Sequence, residues 1–137
     1  MRHILIATHG LLASGARSTM QFLIGNVDNV DYITAYVDGQ KPINEQIEEY
    51  FAKIPQGDEV VIFTDIKGGS VHTALSKLAV LDNVMVFSGM NMGLVLDAVM
   101  KGLNGKLELA EANDLIEVAK DGMTVMNGMT SEDDEDF

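Results

Sequence analysis

Short apolar runs bounded by turn residues alternate with longer stretches of helical periodicity from one end of the chain to the other. "HILIAT" is followed by an amphipathic stretch from Leu11 to Ile24, closed by Gly25 and Asn26, which suit a helix C-cap. "YITAYV" leads through "DGQKP" into "INEQIEEYFAKI", where Ile43, Ile47, Tyr50, Phe51 and Ile54 recur at helical spacing and Pro42 fits the first turn. "EVVIFTD" runs through "IKGGS" into the helical "VHTALSKLAVL", and "VMVFSG" precedes "MNMGLVLDAVMKGL". The last stretch, "DLIEVAKDGMTVMNGM", combines a short helix with an edge strand around Met123 to Met126. Continuous rather than alternating Val, Ile, Leu and Phe mark strands buried on both faces, and the strand–helix alternation marks a sheet with helices on each side. The pattern predicts an α/β fold: a doubly wound, mostly parallel sheet of about four parallel strands plus a C-terminal antiparallel edge strand.

Composition narrows this picture. With 137 residues, 47% of them hydrophobic, the chain fits one domain over residues 1–130, followed by an acidic tail over 131–137, "SEDDEDF", expected to be a disordered solubilising end. The net charge of −12 repels phosphate backbones and excludes nucleic acid as a partner. There are no cysteines, so disulfides, thiolate metal clusters and a cysteine nucleophile are all excluded. The apolar run of "MRHILIATHG" ends at Thr8, too short for a signal peptide core, and no other run approaches the roughly 18 residues that span a bilayer. A cytoplasmic protein is expected. Six of the nine methionines lie beyond residue 89, where they suit gap-filling in a core or subunit interface.

In a doubly wound sheet, ligands bind beyond the carboxyl ends of the strands, near the point where strand order reverses. The first strand ends at Thr8-His9-Gly10, the third at Thr64-Asp65, and the fourth at Ser88-Gly89 with Asn91 just beyond. One imidazole and one carboxylate therefore reach the same sheet edge. A neutral imidazole is a nucleophile at pH 7, and a carboxylate bonded to one ring nitrogen fixes the tautomer so that the other is free to attack. "GGS", Gly68 to Ser70, precedes a helix and could offer backbone N–H groups and the Ser70 hydroxyl to an anion. Taken singly, His9 also reads as a polar strand end, Asp65 as a residue leading into a helix and "GGS" as a plain turn. His3 and His9 lie roughly 20 Å apart along a strand at about 3.3 Å per residue and cannot share a metal. His72 reads as a rim or interface residue. No phosphate-binding loop, dinucleotide fingerprint or G-x-S-x-G elbow is present, so ATP, NAD and that class of hydrolase have no support, and neither metal nor organic cofactor is expected.

Three segments carry a resemblance. "ILIATHGLLASG", "VVIFTDIKGGS" and "FSGMNMGLVLDAV" look like the signature segments, in order and spacing, of the mannose-type IIA components of the bacterial phosphoenolpyruvate-dependent sugar phosphotransferase system, over roughly residues 2 to 125. The resemblance implies a phosphocarrier. His9 would accept a phosphoryl group from phospho-HPr and pass it to a IIB component, Asp65 would orient His9, and Ser70 would contact the phosphoryl group. Thr8, Gly10, Gly68 and Gly69 would line the phosphoryl-binding loop, with Asn91 at the rim. It further implies a homodimer that exchanges the C-terminal edge strand, giving Met123–Met126 a role, and a membrane IIC/IID complex as an indirect partner. Val71 and Gly93 stand where the family usually has proline, and Lys67 where it has bulkier apolar residues; these departures bear on loop order and partner fit rather than on His9. A regulatory variant, phosphorylated on the same histidine but controlling a partner protein, is the alternative. The related carrier subunit of dihydroxyacetone kinase usually has serine after the histidine, and Gly10 argues against it.

Overall fold

The computed structural model describes residues 1–101 and 106–128. Strand β1 (Arg2–His9) leads into helix α1 (Leu12–Ile24), β2 (Val30–Ala35) into α2 (Ile43–Ala52), and β3 (Glu59–Thr64) into α3 (Ser70–Ser76), which tightens into a 3₁₀ turn over Lys77–Val80. Strand β4 (Val84–Phe87) is followed by α4 (Met92–Lys101) and α5 (Leu109–Asp121). The strands form one sheet in the order β2-β1-β3-β4 with every pairing parallel, so the predicted α/β architecture is present.

Both faces of the sheet are covered, which is why its strands carry unbroken apolar runs. Ile4 and Ile6 of β1 point to one side, into a core with Ala13, Ala16 and Met20 of α1, Leu94, Val95 and Ala98 of α4, and Leu115 of α5. Leu5 and Ala7 point to the other, against Ile47 of α2 and Val71 and Leu75 of α3. Phe63 and Phe87 stack across β3 and β4 with centroids 4.9 Å apart. No helix among the described residues is long and apolar enough to cross a membrane.

Topology places the site. From β1 the chain winds to β2 on one flank and, after α2, crosses to β3 on the other, which makes the β1–β3 seam the point where strand order reverses. Register does the rest: Ala7 lies opposite Thr64 and His9 opposite Ala35, so His9, Asp65 and Tyr36 leave three adjacent strands at the same carboxyl edge.

Two expectations at the C-terminal end require revision. The helix there is not short: α5 spans 13 residues and begins at Leu109, because Glu108 and Glu111 form a reciprocal capping box that starts it one and a half turns before the Asp114 at which the sequence pattern placed it. Residues 123–126 are not a strand but run irregularly beyond α5, with the Met123 N–H still bonded to the Lys120 carbonyl at 3.0 Å. A strand needs a neighbour for its backbone groups, and within this chain the described sheet is complete with four. The tail expected over 131–137 lies outside the described residues, as does the expected domain end at 130.

Candidate active site

His9 ends β1 with its side chain fixed by the first residue after β3. Asp65 Oδ2 accepts both the His9 backbone N–H and the ring Nδ1–H, each at 2.9 Å, while Oδ1 accepts the Ile66 N–H at 3.0 Å. Burial alone would raise the Asp65 pKa. The bonds from His9 and Ile66 favour the carboxylate, and the net result holds Asp65 below the usual carboxylate range. An ionised carboxylate only accepts, so in the neutral imidazole the single ring proton lies on Nδ1 and Nε2 keeps its lone pair. The side-chain exposures, 36% for His9 and 9% for Asp65, suit an accessible nucleophile and a shielded orienter.

The free nitrogen has a partner. Ser70, opening α3, places its Oγ 3.2 Å from Nε2, and since Nε2 is an acceptor, the serine hydroxyl donates. Ser70 Oγ in turn accepts the Tyr36 hydroxyl at 2.8 Å, and the Tyr36 ring lies 5.6 Å from the imidazole at a tilt of 31°. Hydrogens therefore run one way, from Tyr36 through Ser70 to Nε2 and from Nδ1 to Asp65. The sequence pattern did not reveal Tyr36. Its signal was positional: it leaves the carboxyl end of β2, the strand beside β1 that the candidate list omitted.

The glycines serve the turns that carry these groups. Gly10 adopts φ +60 and donates its N–H to the Ala35 carbonyl at 2.8 Å, letting the chain turn out of β1 directly behind His9. At Gly69 a Cβ would stand 3.2 Å from both His9 Cε1 and the Ile66 carbonyl oxygen, so only glycine lets the loop pass the ring without displacement. The Gly68 N–H is bonded to His72 Nδ1 at 3.1 Å and the Gly69 N–H to the Ile66 carbonyl at 3.0 Å. Both are committed within the loop, which makes Ser70 its foremost donor toward His9.

The other expected members sit nearby with different duties. Thr8 is fully buried and its Oγ1 accepts the Ala13 N–H at 2.7 Å, capping α1 just behind the site. Asn91 Oδ1 accepts the Leu94 N–H at 2.9 Å and caps α4 in the loop after β4. That loop is tied to the end of β3 by a bond from the Met90 N–H to the Thr64 carbonyl at 2.9 Å. His3 pairs with Asp58 at 2.8 Å at the opposite end of β1. Leu11 and Leu12, just after β1, and Ile66, just after β3, are exposed.

The fold is thus a parallel α/β domain that presents an outward imidazole, held by a carboxylate, at its switch point. The chain belongs to the family described as the PTS system fructose IIA component, whose model matches residues 3–116. Over 100 residues it is 29% identical to the PTS system mannose-specific EIIAB component of Escherichia coli K12; the match takes in 71% of this chain but 31% of that protein, so the chain spans about a third of that relative's length. Among solved structures, a candidate phosphoenolpyruvate-dependent sugar phosphotransferase system permease from Klebsiella pneumoniae superposes with a TM-score of 0.83 at 25% identity, covering 93% of this chain and 92% of that one. A PTS IIA protein associated with the fucose utilization operon of Streptococcus pneumoniae gives 0.70 at 27% identity, with 90% and 92% covered.

Proposed function

We propose that the protein is a phosphocarrier in which His9 Nε2 accepts a phosphoryl group from phospho-HPr and passes it to a IIB component, feeding a membrane IIC/IID complex. The observation that carries the proposal is the pair of 2.9 Å bonds from His9 to Asp65, which present Nε2 outward with its lone pair available. In the transfer, the Nε2 lone pair attacks phosphorus in line while the bond from phosphorus to the donor's ring nitrogen breaks, its electron pair returning to that ring. Nδ1 keeps its proton throughout, and the positive charge that develops on the His9 ring faces the Asp65 carboxylate. The transition state is loose, so the chain supplies mainly position and a donor, Ser70, for an equatorial oxygen. The exposed Leu11, Leu12 and Ile66 give donor and acceptor a common apolar landing surface around the histidine.

Incubation with phosphoenolpyruvate, enzyme I and HPr is expected to place an acid-labile phosphate on His9, and His9→Ala to abolish labelling while the chain still folds. An alanine variant that still takes label overturns the assignment. Adding a purified IIB is expected to drain the label; a phosphoprotein that keeps its phosphate against IIB while engaging a regulatory protein overturns the transport role and leaves the regulatory one.

A further inference from the structure

We infer that Tyr36 is a positioning residue for the phosphoryl acceptor, holding the Ser70 hydroxyl beside His9 Nε2, where it can donate to an equatorial oxygen of the incoming phosphoryl group. The inference deepens the phosphocarrier reading and rests on it for its kinetic arm alone.

Three independent features of the geometry point to Tyr36. First, its hydroxyl donates to Ser70 Oγ at 2.8 Å, and that oxygen lies 3.2 Å from Nε2. A serine hydroxyl on an exposed loop has three staggered rotamers and water to bond to. With one lone pair of Oγ occupied by the Tyr36 proton, the serine's own proton cannot turn back toward Tyr36 and is directed at the histidine side.

Second, the backbone is adapted to put the ring there. Tyr36 has φ +63, and among the described residues only Asn29 shares a positive φ without being glycine. For a bulky side chain this conformation is unfavourable by about 1–2 kcal/mol, a cost that persists where the surroundings impose it and that clusters at functional sites. The bond from the Gly10 N–H to the Ala35 carbonyl at 2.8 Å ties the residue preceding Tyr36 to the turn that follows His9.

Third, Tyr36 is 63% exposed, so burial of its ring does not explain its placement, and the ring lies against the imidazole at 5.6 Å. A side chain kept in a strained conformation, largely in water, with its polar end on the serine that touches the nucleophile, acts through that serine. Before transfer the Ser70 proton rests on the Nε2 lone pair through a long, weak bond. As phosphorus approaches Nε2, that proton swings to an equatorial oxygen while Tyr36 keeps the serine oxygen in place. No proton leaves Tyr36 or Ser70 in the process.

Two measurements test this with Tyr36→Phe, which deletes one exposed oxygen. In 15N-histidine-labelled protein at neutral pH, the variant is expected to keep the Nδ1–H tautomer, since Asp65 is intact. Its His9 Nε2 resonance is expected to move toward that of an unbonded ring nitrogen, in the same direction as in Ser70→Ala. In label transfer from phospho-HPr, Tyr36→Phe is expected to slow acceptance about three- to tenfold, the worth of one neutral hydrogen bond. The double variant is expected to be no slower than Ser70→Ala alone, because Tyr36 has nothing left to position. An unmoved Nε2 resonance in Tyr36→Phe, or rate losses that multiply in the double variant, overturns the inference. If the wild-type chain takes no label, the phosphocarrier reading falls instead, and the resonance comparison still decides the role of Tyr36.

Discussion

Asp65 has about four lone-pair directions to offer, and three of them meet N–H groups: two from His9 and one from Ile66. Asparagine has a single accepting oxygen: set at the Oδ2 position it turns its NH2 against the Ile66 N–H, set at the Oδ1 position it turns its NH2 against the His9 N–H groups, and either way the negative charge beside the ring is gone. Asp65→Asn is expected to lower the rate of phosphoryl acceptance by about 10²-fold, a loss read in the same label-transfer assay. The carboxylate's depressed pKa also gives a stability signature. Its stabilising contribution is complete above the ordinary carboxylate value near pH 4 and is lost as pH falls through the lower native value. Urea unfolding should therefore find Asp65→Asn less stable than wild type by about 1–2 kcal/mol at pH 7, with the two converging as the pH falls below the ordinary carboxylate range. Constant separation at all pH values would count against it. At this scale the sequence was informative where a residue type carries its own chemistry: His9, Asp65 and Ser70 were legible because imidazole, carboxylate and hydroxyl were all assigned to one sheet edge. Tyr36 was not, because a tyrosine after an apolar strand looks like packing, and its positive φ and its bond to Ser70 appear only in the folded chain.

Among the elements, the strands were the most legible and the end of the last helix the least. An apolar run buried on both faces announces itself, whereas a helix start is set by a few polar contacts. The N-cap of α5 is Glu108, outside the usual Ser, Thr, Asp and Asn, yet its side chain accepts the backbone N–H of Glu111 while the Glu111 carboxylate reaches back to the Glu108 N–H at 3.3 Å. The preceding Leu107 is buried, and its N–H donates to Glu59 Oε2 at 2.6 Å, with Glu59 also paired to Arg2. This cluster fastens α5 to the amino end of β3, at the opposite end of the sheet from His9. Glu108→Ala is accordingly expected to cost about 1 kcal/mol in urea unfolding while leaving the rate of phosphoryl acceptance unchanged. A parallel loss of acceptance would mean that the two ends of the sheet are coupled, contrary to the separation of their contacts.

At the scale of the whole molecule, we propose that a second copy of the chain completes the C-terminal end. The Met-Thr-Val-Met stretch over residues 123–126 has strand-like composition but no strand neighbour among the described residues, and Met123, Val125 and Met126 are 66%, 72% and 61% exposed. Beside it runs an open groove of about 560 Å³ between α4 and α5, lined by Met92, Leu96, Met100, Val118 and Met123. Clustered methionines of this kind fill irregular apolar gaps, and large apolar side chains left together on a surface mark an interface. A strand supplied by one copy to the other would satisfy its backbone groups and cover these side chains in both, a self-complementary contact of the kind that closes a twofold dimer. The chain is therefore expected to sediment as a dimer at micromolar concentration. Replacing Met123, Val125 and Met126 together by serine should shift it to monomer, because the strand would then bury no apolar surface on docking. His9 and Asp65 meet within one chain, across β1 and β3, so the monomer should still take label from phospho-HPr. A wild-type chain that sediments as a monomer, or a serine variant that remains dimeric, overturns the dimer; a monomeric variant that takes no label would place part of the phosphoryl site on the second copy.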